Sequence, residues 1–202
     1  MNGVLVKSYP APAVNYGEAC RYAGGKKGDA ALESALEECY AGLSGGLCYR
    51  VCYTELALQK KGELLDLSFA QTTSADLKKM LDGCERILLF AATVGQAPDR
   101  MILRHMRLSP YKTLLFQAAG SERVEALCDL FCAELKNRMQ ENGEDVTRRF
   151  SPGYGDLPLE MQRDVFRTLD CPRRVGITLN DSLLMSPAKS VTAIVGIRKD
   201  RV

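Results

Sequence analysis

From Arg86 to Val94 the chain is almost continuously apolar, and the run stops at Gly95. That length is short for a helix and suits a strand buried on both faces. Such a strand needs covering elements, and the rest of the chain supplies helical patterns for them. Asp29 caps one, in which Leu32, Ala35, Leu36, Cys39, Tyr40 and Leu43 recur at helical spacing before Gly45-Gly46. The strongest runs from Ser121 to Met139. There Val124, Leu127, Cys128, Phe131, Cys132, Leu135 and Met139 form one stripe, while Glu122, Glu125 and Asp129 point elsewhere. Residues 99–119 read as helical with a break near Pro110, and Glu18–Tyr22 as a short helix ended by Gly24-Gly25. Thr73-Ser74-Ala75-Asp76 resembles a capping box opening a helix to about Leu81. Pro158 opens another, with Met161, Val165 and Leu169 on one face.

Strand patterns lie between the helices. Cys48 to Gln59 is rich in Tyr, Val, Thr and Cys, Lys60-Lys61-Gly62 reads as a turn, and Leu65, Leu67 and Phe69 alternate on a return strand. Val175 to Ile197 holds two short β runs joined through Ser186-Pro187. Helices and strands do not alternate strictly. The expected fold is therefore α+β, an antiparallel or mixed twisted sheet covered by helices, in one domain across residues 1–202.

Charge and cysteine usage narrow the function classes. The 202 residues carry a net charge of +2 with both signs interspersed. That leaves no electrostatic footprint for nucleic acid and no polybasic membrane patch. No apolar run approaches the ~20 residues of a membrane span. Met1 to Pro12 lacks the charged-then-apolar order of a secretory leader, so the expected location is cytoplasmic. The eight cysteines include no C-x-x-C pair. Cys48 and Cys52, four apart on a strand pattern, and Cys128 and Cys132, four apart on a helix, read as small buried hydrophobes. The single histidine, His105, sits on a helical pattern among Arg104, Met106 and Arg107 and reads as a satisfied or solvent-facing residue. No metal site is expected. Glycine-rich nucleotide loops and a Gly-x-Ser-x-Gly elbow are missing.

One segment remains. Arg149-Phe150-Ser151-Pro152-Gly153-Tyr154-Gly155-Asp156 packs a fixed cation, a proline, two glycines and an aromatic hydroxyl into eight residues. Its glycines let main-chain groups approach a ligand, and Arg149 offers five donors suited to a carboxylate or phosphate. Taken alone it also fits an ordinary turn before a helix. It is followed by Gly176-Ile177-Thr178-Leu179-Asn180-Asp181-Ser182 and then Pro187-Ala188-Lys189-Ser190-Val191. In that order the two elements resemble the activation domain of cobalamin-dependent methionine synthase. That family carries Arg-x-x-Pro-Gly-Tyr, a helix, Gly-x-x-Leu-x-x-Ser and Pro-x-x-Ser-Val. The strong resemblance covers residues 148–197.

The resemblance implies a domain that binds S-adenosylmethionine and presents it to a cobalamin. When cob(I)alamin is oxidised to inactive cob(II)alamin, one electron from flavodoxin or a similar donor plus the adenosylmethionine methyl would regenerate methylcobalamin. Arg149 would hold the ligand's carboxylate. Ser151 and Gly153 would offer main-chain groups. Tyr154 would lie near the transferred methyl and the corrin, its catalytic assignment. Asp129 aligns with an acidic ligand residue. In the long family enzymes the Pro-x-x-Ser-Val ending leads to a late Tyr, which Thr192 to Val202 lacks. An N-terminal acidic residue also has no counterpart. The family's Asp-x-His-x-x-Gly cobalt-ligating pattern is not met by Leu103-Arg104-His105-Met106-Arg107-Leu108. Cobalamin is therefore expected on a partner, a cobalamin-binding methionine synthase served in trans. Two alternatives stay open: a docking module for a corrinoid protein that does not use S-adenosylmethionine, and a stand-alone methyltransferase.

Overall fold

The computed structural model describes residues 3–199, so Met1 and Val202 lie outside the described residues. In chain order the elements are β1 (Leu5–Ser8), α1 (Tyr16–Tyr22), α2 (Ala30–Ser44), β2 (Arg50–Ala57), β3 (Gln59–Lys61), β4 (Leu64–Asp66) and β5 (Gln71–Thr72). Then come α3 (Ala75–Met80), β6 (Cys84–Thr93), α4 (Ala97–His105), α5 (Pro110–Gln140), β7 (Glu144–Val146), α6 (Gln162–Leu169), α7 (Cys171–Val175), β8 (Thr178–Leu179), β9 (Met185–Ser186) and β10 (Ser190–Lys199). The main sheet has the order β1-β2-β6-β10-β7, and all its pairings are antiparallel. The fold is α+β, as the sequence patterns indicate.

The apolar run explains the layering. On β6, Ile87, Leu89 and Ala91 face a core shared with Leu77, Val165 and Leu169 of the α3, α6 and α7 side. The intervening Leu88, Phe90 and Ala92 face the opposite core, built by Val124, Leu127, Phe131 and Leu135 of α5. Residues 87–92 are all fully buried, which removes the alternation that an exposed face would leave in the sequence. The ring of Phe90 lies 4.9 Å from that of Phe131 across the second core. A third cluster joins α1 and α2 to the first half of α5 through Cys20, Leu36, Leu43, Phe116 and Ala119.

Four local expectations change. The strand beginning near Cys48 does not fold back on residues 64–69. Its bulk, β2, pairs along its length with β6, the chain turns at Leu58, and only β3 pairs with β4. Alternation over 48–59 cannot reveal that β6 is the partner. Cys48 lies outside β2 and is exposed, so the Cys48–Cys52 pair does not share an inward face. Glu122, off the apolar stripe, is nonetheless buried. Lastly, the 175–197 region forms a β8–β9 hairpin before Pro187 and the ten-residue β10 after it. Strands β1 and β7 had no sequence reading; both are short edge strands.

Helix α5 also runs unbroken through Gly120, which sequence patterns place between two helices. A glycine there costs about 1 kcal/mol of helix propensity relative to alanine. Close approach accounts for it: a Cβ at Gly120 would stand 2.9 Å from both Cβ of Pro98 and Cγ of Lys189. Proline cannot swing aside, so overpacking outweighs the gain in propensity. Gly120→Ala is expected to be net destabilising, by about 1–2 kcal/mol, in urea unfolding. Among the described residues no helix is long and apolar enough to cross a membrane.

Candidate functional site

The 149–156 segment is strapped at both ends. At its start, Phe150 N–H donates to the Ile194 carbonyl (2.9 Å) and Ile194 N–H donates back to Phe150 (2.8 Å), extending the edge of β10 beyond its pairing with β7. At its end, the Asp156 carboxylate accepts from the N–H of Ala75 (2.6 Å) and Asp76 (3.3 Å) and from the Ser74 hydroxyl, at the start of α3. Two glycines allow the path between. Gly153 sits at φ +90°, and a Cβ on Gly155 would be 2.3 Å from the Asp76 carboxylate.

These hydrogen bonds, led by that from Ser74, hold the Asp156 carboxyl below the usual carboxylate range. A depressed folded value gives stability that is present above the unfolded pKa, about 3.9. It is lost as pH falls through the folded one. The melting temperature of the parent should therefore exceed that of Asp156→Asn near neutral pH. The gap should close in melts run below about pH 4. A gap that stays constant with pH contradicts this linkage.

Between the straps lies an open groove of about 950 Å³. Its walls are the 148–155 segment, residues 183–185 at the end of the β8–β9 turn, the first residues of β10, and Gln162 and Glu125. Arg149 is three-quarters buried on this wall. Its Nη2 lies 2.7 Å from Asp129 Oδ1 and 3.2 Å from Glu125 Oε2, one turn apart on α5. The structure thus brings Arg149 and Asp129 together. Asp129 stays largely exposed outside the groove lining, and it is Glu125 that reaches the groove. The i, i+4 spacing of two acids off the apolar stripe was the available signal for Glu125.

The other segment residues take distinct places. Ser151 lines the groove, and its carbonyl accepts from Tyr154 N–H at 3.1 Å. Gly153 is not in the lining, and its N–H donates to the Leu157 carbonyl at 2.9 Å. It shapes the turn rather than offering that N–H to a ligand. Tyr154 stands on the rim, 69% exposed. Gln162 and Thr192, also in the lining, went unread in the sequence. The buried Thr192 hydroxyl donates to Gln162 Oε1 at 2.9 Å. Because Ile194 turns its N–H and C=O toward Phe150, Thr192, two residues earlier, turns its own toward the groove. That N–H/C=O pair is an edge that a flat heterocycle with adjacent donor and acceptor can meet.

The second sequence motif supports the wall. Gly176 closes α7 at φ +75°, and Leu179 packs on the core. The Ser190 hydroxyl is 2.7 Å from the Pro187 carbonyl and 2.9 Å from Thr93 Oγ1, while Ala188 N–H donates to Asp99 (2.8 Å). Residues 187–192 are thereby fixed to β6 and α4, opposite the first motif. His105 lies elsewhere, its Nδ1 2.9 Å from the Met101 carbonyl and its ring tilted against that of Phe116, centroids 5.1 Å apart. Among the described residues no group of three His, Cys, Asp or Glu is placed to hold a metal.

The arrangement can accept a zwitterionic ligand with a flat ring. A guanidinium faces an acid on one wall, the buried strand edge at Thr192 lies opposite, and an exposed aromatic stands at the mouth. Among solved structures the chain matches "Crystal Structure of the MetH Reactivation Domain bound to AdoHcy" with a TM-score of 0.69 at 15% identity, covering 100% of this chain and 80% of that one. The likeness establishes the fold. No family model matches the chain, and no curated protein does.

Proposed function

We propose that this chain is an activation module that binds S-adenosylmethionine in the groove and presents its methyl group to a cobalamin on a partner, a cobalamin-binding methionine synthase. The observation that carries the reading is that both resemblance motifs converge on one groove, in a fold shared with a reactivation domain. The residues present fit the ligand. Arg149 suits its α-carboxylate and Glu125 its ammonium, and the Thr192 edge suits adenine. Tyr154, at the mouth, is placed to contact both the sulfonium end and whatever covers the groove. Bound S-adenosylmethionine would supply the methyl group, with one electron for the corrin arriving from flavodoxin or a similar donor. This chain's own part is to bind, orient and shield. His105 lacks the flanking Asp and Gly of the family's cobalt-ligating pattern, so this reading places the corrin outside residues 1–202.

A specific observation favours a second reading. Arg149 already pairs with Asp129 and Glu125, so the groove carries its own counter-charges. A docking module for a corrinoid protein would need no ligand there. Calorimetry separates the two. The proposed function expects saturable heat with S-adenosylmethionine, alone or with the cobalamin-loaded partner. Complex formation with that partner and no ligand heat in either case establishes the docking reading instead.

A further inference from the structure

Away from the groove, the end of α4, the 106–109 turn and the first turns of α5 form a tip with unusual surface chemistry. Leu103, Met106, Leu108, Tyr111 and Leu114 are 66%, 53%, 78%, 55% and 44% exposed. Burying such side chains removes apolar area from water and is favourable. A cluster of them on a surface therefore marks a contact. The same stretch is cationic despite the near-neutral chain. Arg100, Arg104, Arg107 and Lys112 are exposed, and no acid occurs between Asp99 and Glu122. Among the described residues none of the four forms an ion pair within 4.0 Å.

Beneath the tip is a hollow of about 230 Å³ between α2, α4 and α5. Cys39, Met101, Leu115 and Phe116 make its apolar wall, with Glu38 as the one acid beside it. Gly42 leaves room in it: a Cβ there would stand 3.7 Å from Met101 Cε and 3.9 Å from Phe116, at ordinary contact distance. A hollow of that size takes one or two large side chains. Interfaces concentrate binding energy in such anchors, ringed by charges that steer the encounter.

We propose that this tip is a docking surface for an acidic protein segment that inserts an aliphatic or aromatic side chain into the hollow beside Gly42. Four unpaired cations around an apolar anchor site select a partner of opposite charge. A second copy docking tip to tip would oppose cation to cation. A lipid surface would engage the exposed apolar residues without needing the hollow. The inference shares no residue with the groove and does not depend on its ligand.

The test uses a fluorescein-labelled helical peptide with Glu on one face and Leu and Phe on the other, titrated by anisotropy at low salt. Saturable binding is expected, weaker at higher salt, and absent for the matching Lys peptide. Arg104→Glu/Arg107→Glu should weaken it at least about tenfold. Gly42→Leu, which fills the hollow and leaves the charges, should weaken it comparably. Circular dichroism melts check that both variants fold. Failure of the acidic peptide to bind overturns the proposal. So does unchanged binding in Gly42→Leu, peptide-independent binding to phosphatidylserine vesicles, or a concentration-dependent dimer that Leu108→Ser disrupts.

Discussion

Replacing Arg149 by alanine should weaken S-adenosylmethionine binding by about 10- to 150-fold while leaving the fold intact. The magnitude is that of one charge-assisted hydrogen bond, about 1.5–3 kcal/mol. Arg149 stands in the groove wall with only a quarter of its side chain exposed, so bulk water screens it incompletely. Removing it also leaves Glu125 without its counter-charge, beside the ligand's carboxylate as well as its ammonium. Glu125→Gln in the same background should lower affinity further, because it also removes the partner assigned to the ammonium. Arg149→Lys should recover little, since a point charge cannot reproduce the planar fork. The loss of stability should be small, because the partners are half to largely exposed. Calorimetric titration of the three variants reads these effects, and equal affinity of Arg149→Ala and the parent contradicts the assignment.

Glu122→Ala should be the most destabilising single change considered, by about 3–5 kcal/mol. Glu122 and Arg123 are each only 2% exposed and pair with one another. The Glu122 carboxylate also accepts from Asn15 N–H and from the Tyr40 hydroxyl, each at 2.9 Å. Arg123 donates to the carbonyls of Pro12 (2.7 Å) and Ala13 (2.9 Å). One adjacent pair on α5 thus holds the 12–15 segment and α2. Removing the acid leaves a buried guanidinium without its counter-charge. At roughly 2–4 °C per kcal/mol for a chain of this size, the melting temperature should fall by about 6–20 °C. Glu122→Gln keeps an acceptor for Tyr40 and should fall between the two. A drop of less than about 1 kcal/mol for Glu122→Ala would show the pair to be solvated in solution.

The sequence revealed most where one element settles its own chemistry. The α5 stripe, the Asp29 cap and the fully apolar β6 run all carry their reading locally, and the α+β fold follows from them. It concealed what depends on a remote partner. Glu122 looks like any helix-surface acid until Tyr40, 82 positions away, donates to it. Gly120 looks like a helix boundary until Pro98 and Lys189 close on it. The β2 pattern cannot show that β6, rather than the neighbouring strand, takes it. The site divides the same way. Arg149, Ser151 and Tyr154 are conspicuous because Gly and Pro cluster around them. Gln162 and the strand edge at Thr192 become visible only once Phe150 pairs with Ile194 on β10.

Hydrogen–deuterium exchange of the full chain with and without saturating S-adenosylmethionine tests the central claim most directly. The account predicts slowed exchange in 148–155 and 183–192, the two walls of the groove, with the hollow beside Gly42 unchanged. No protection in either wall, or protection confined to another part of the molecule, would contradict it.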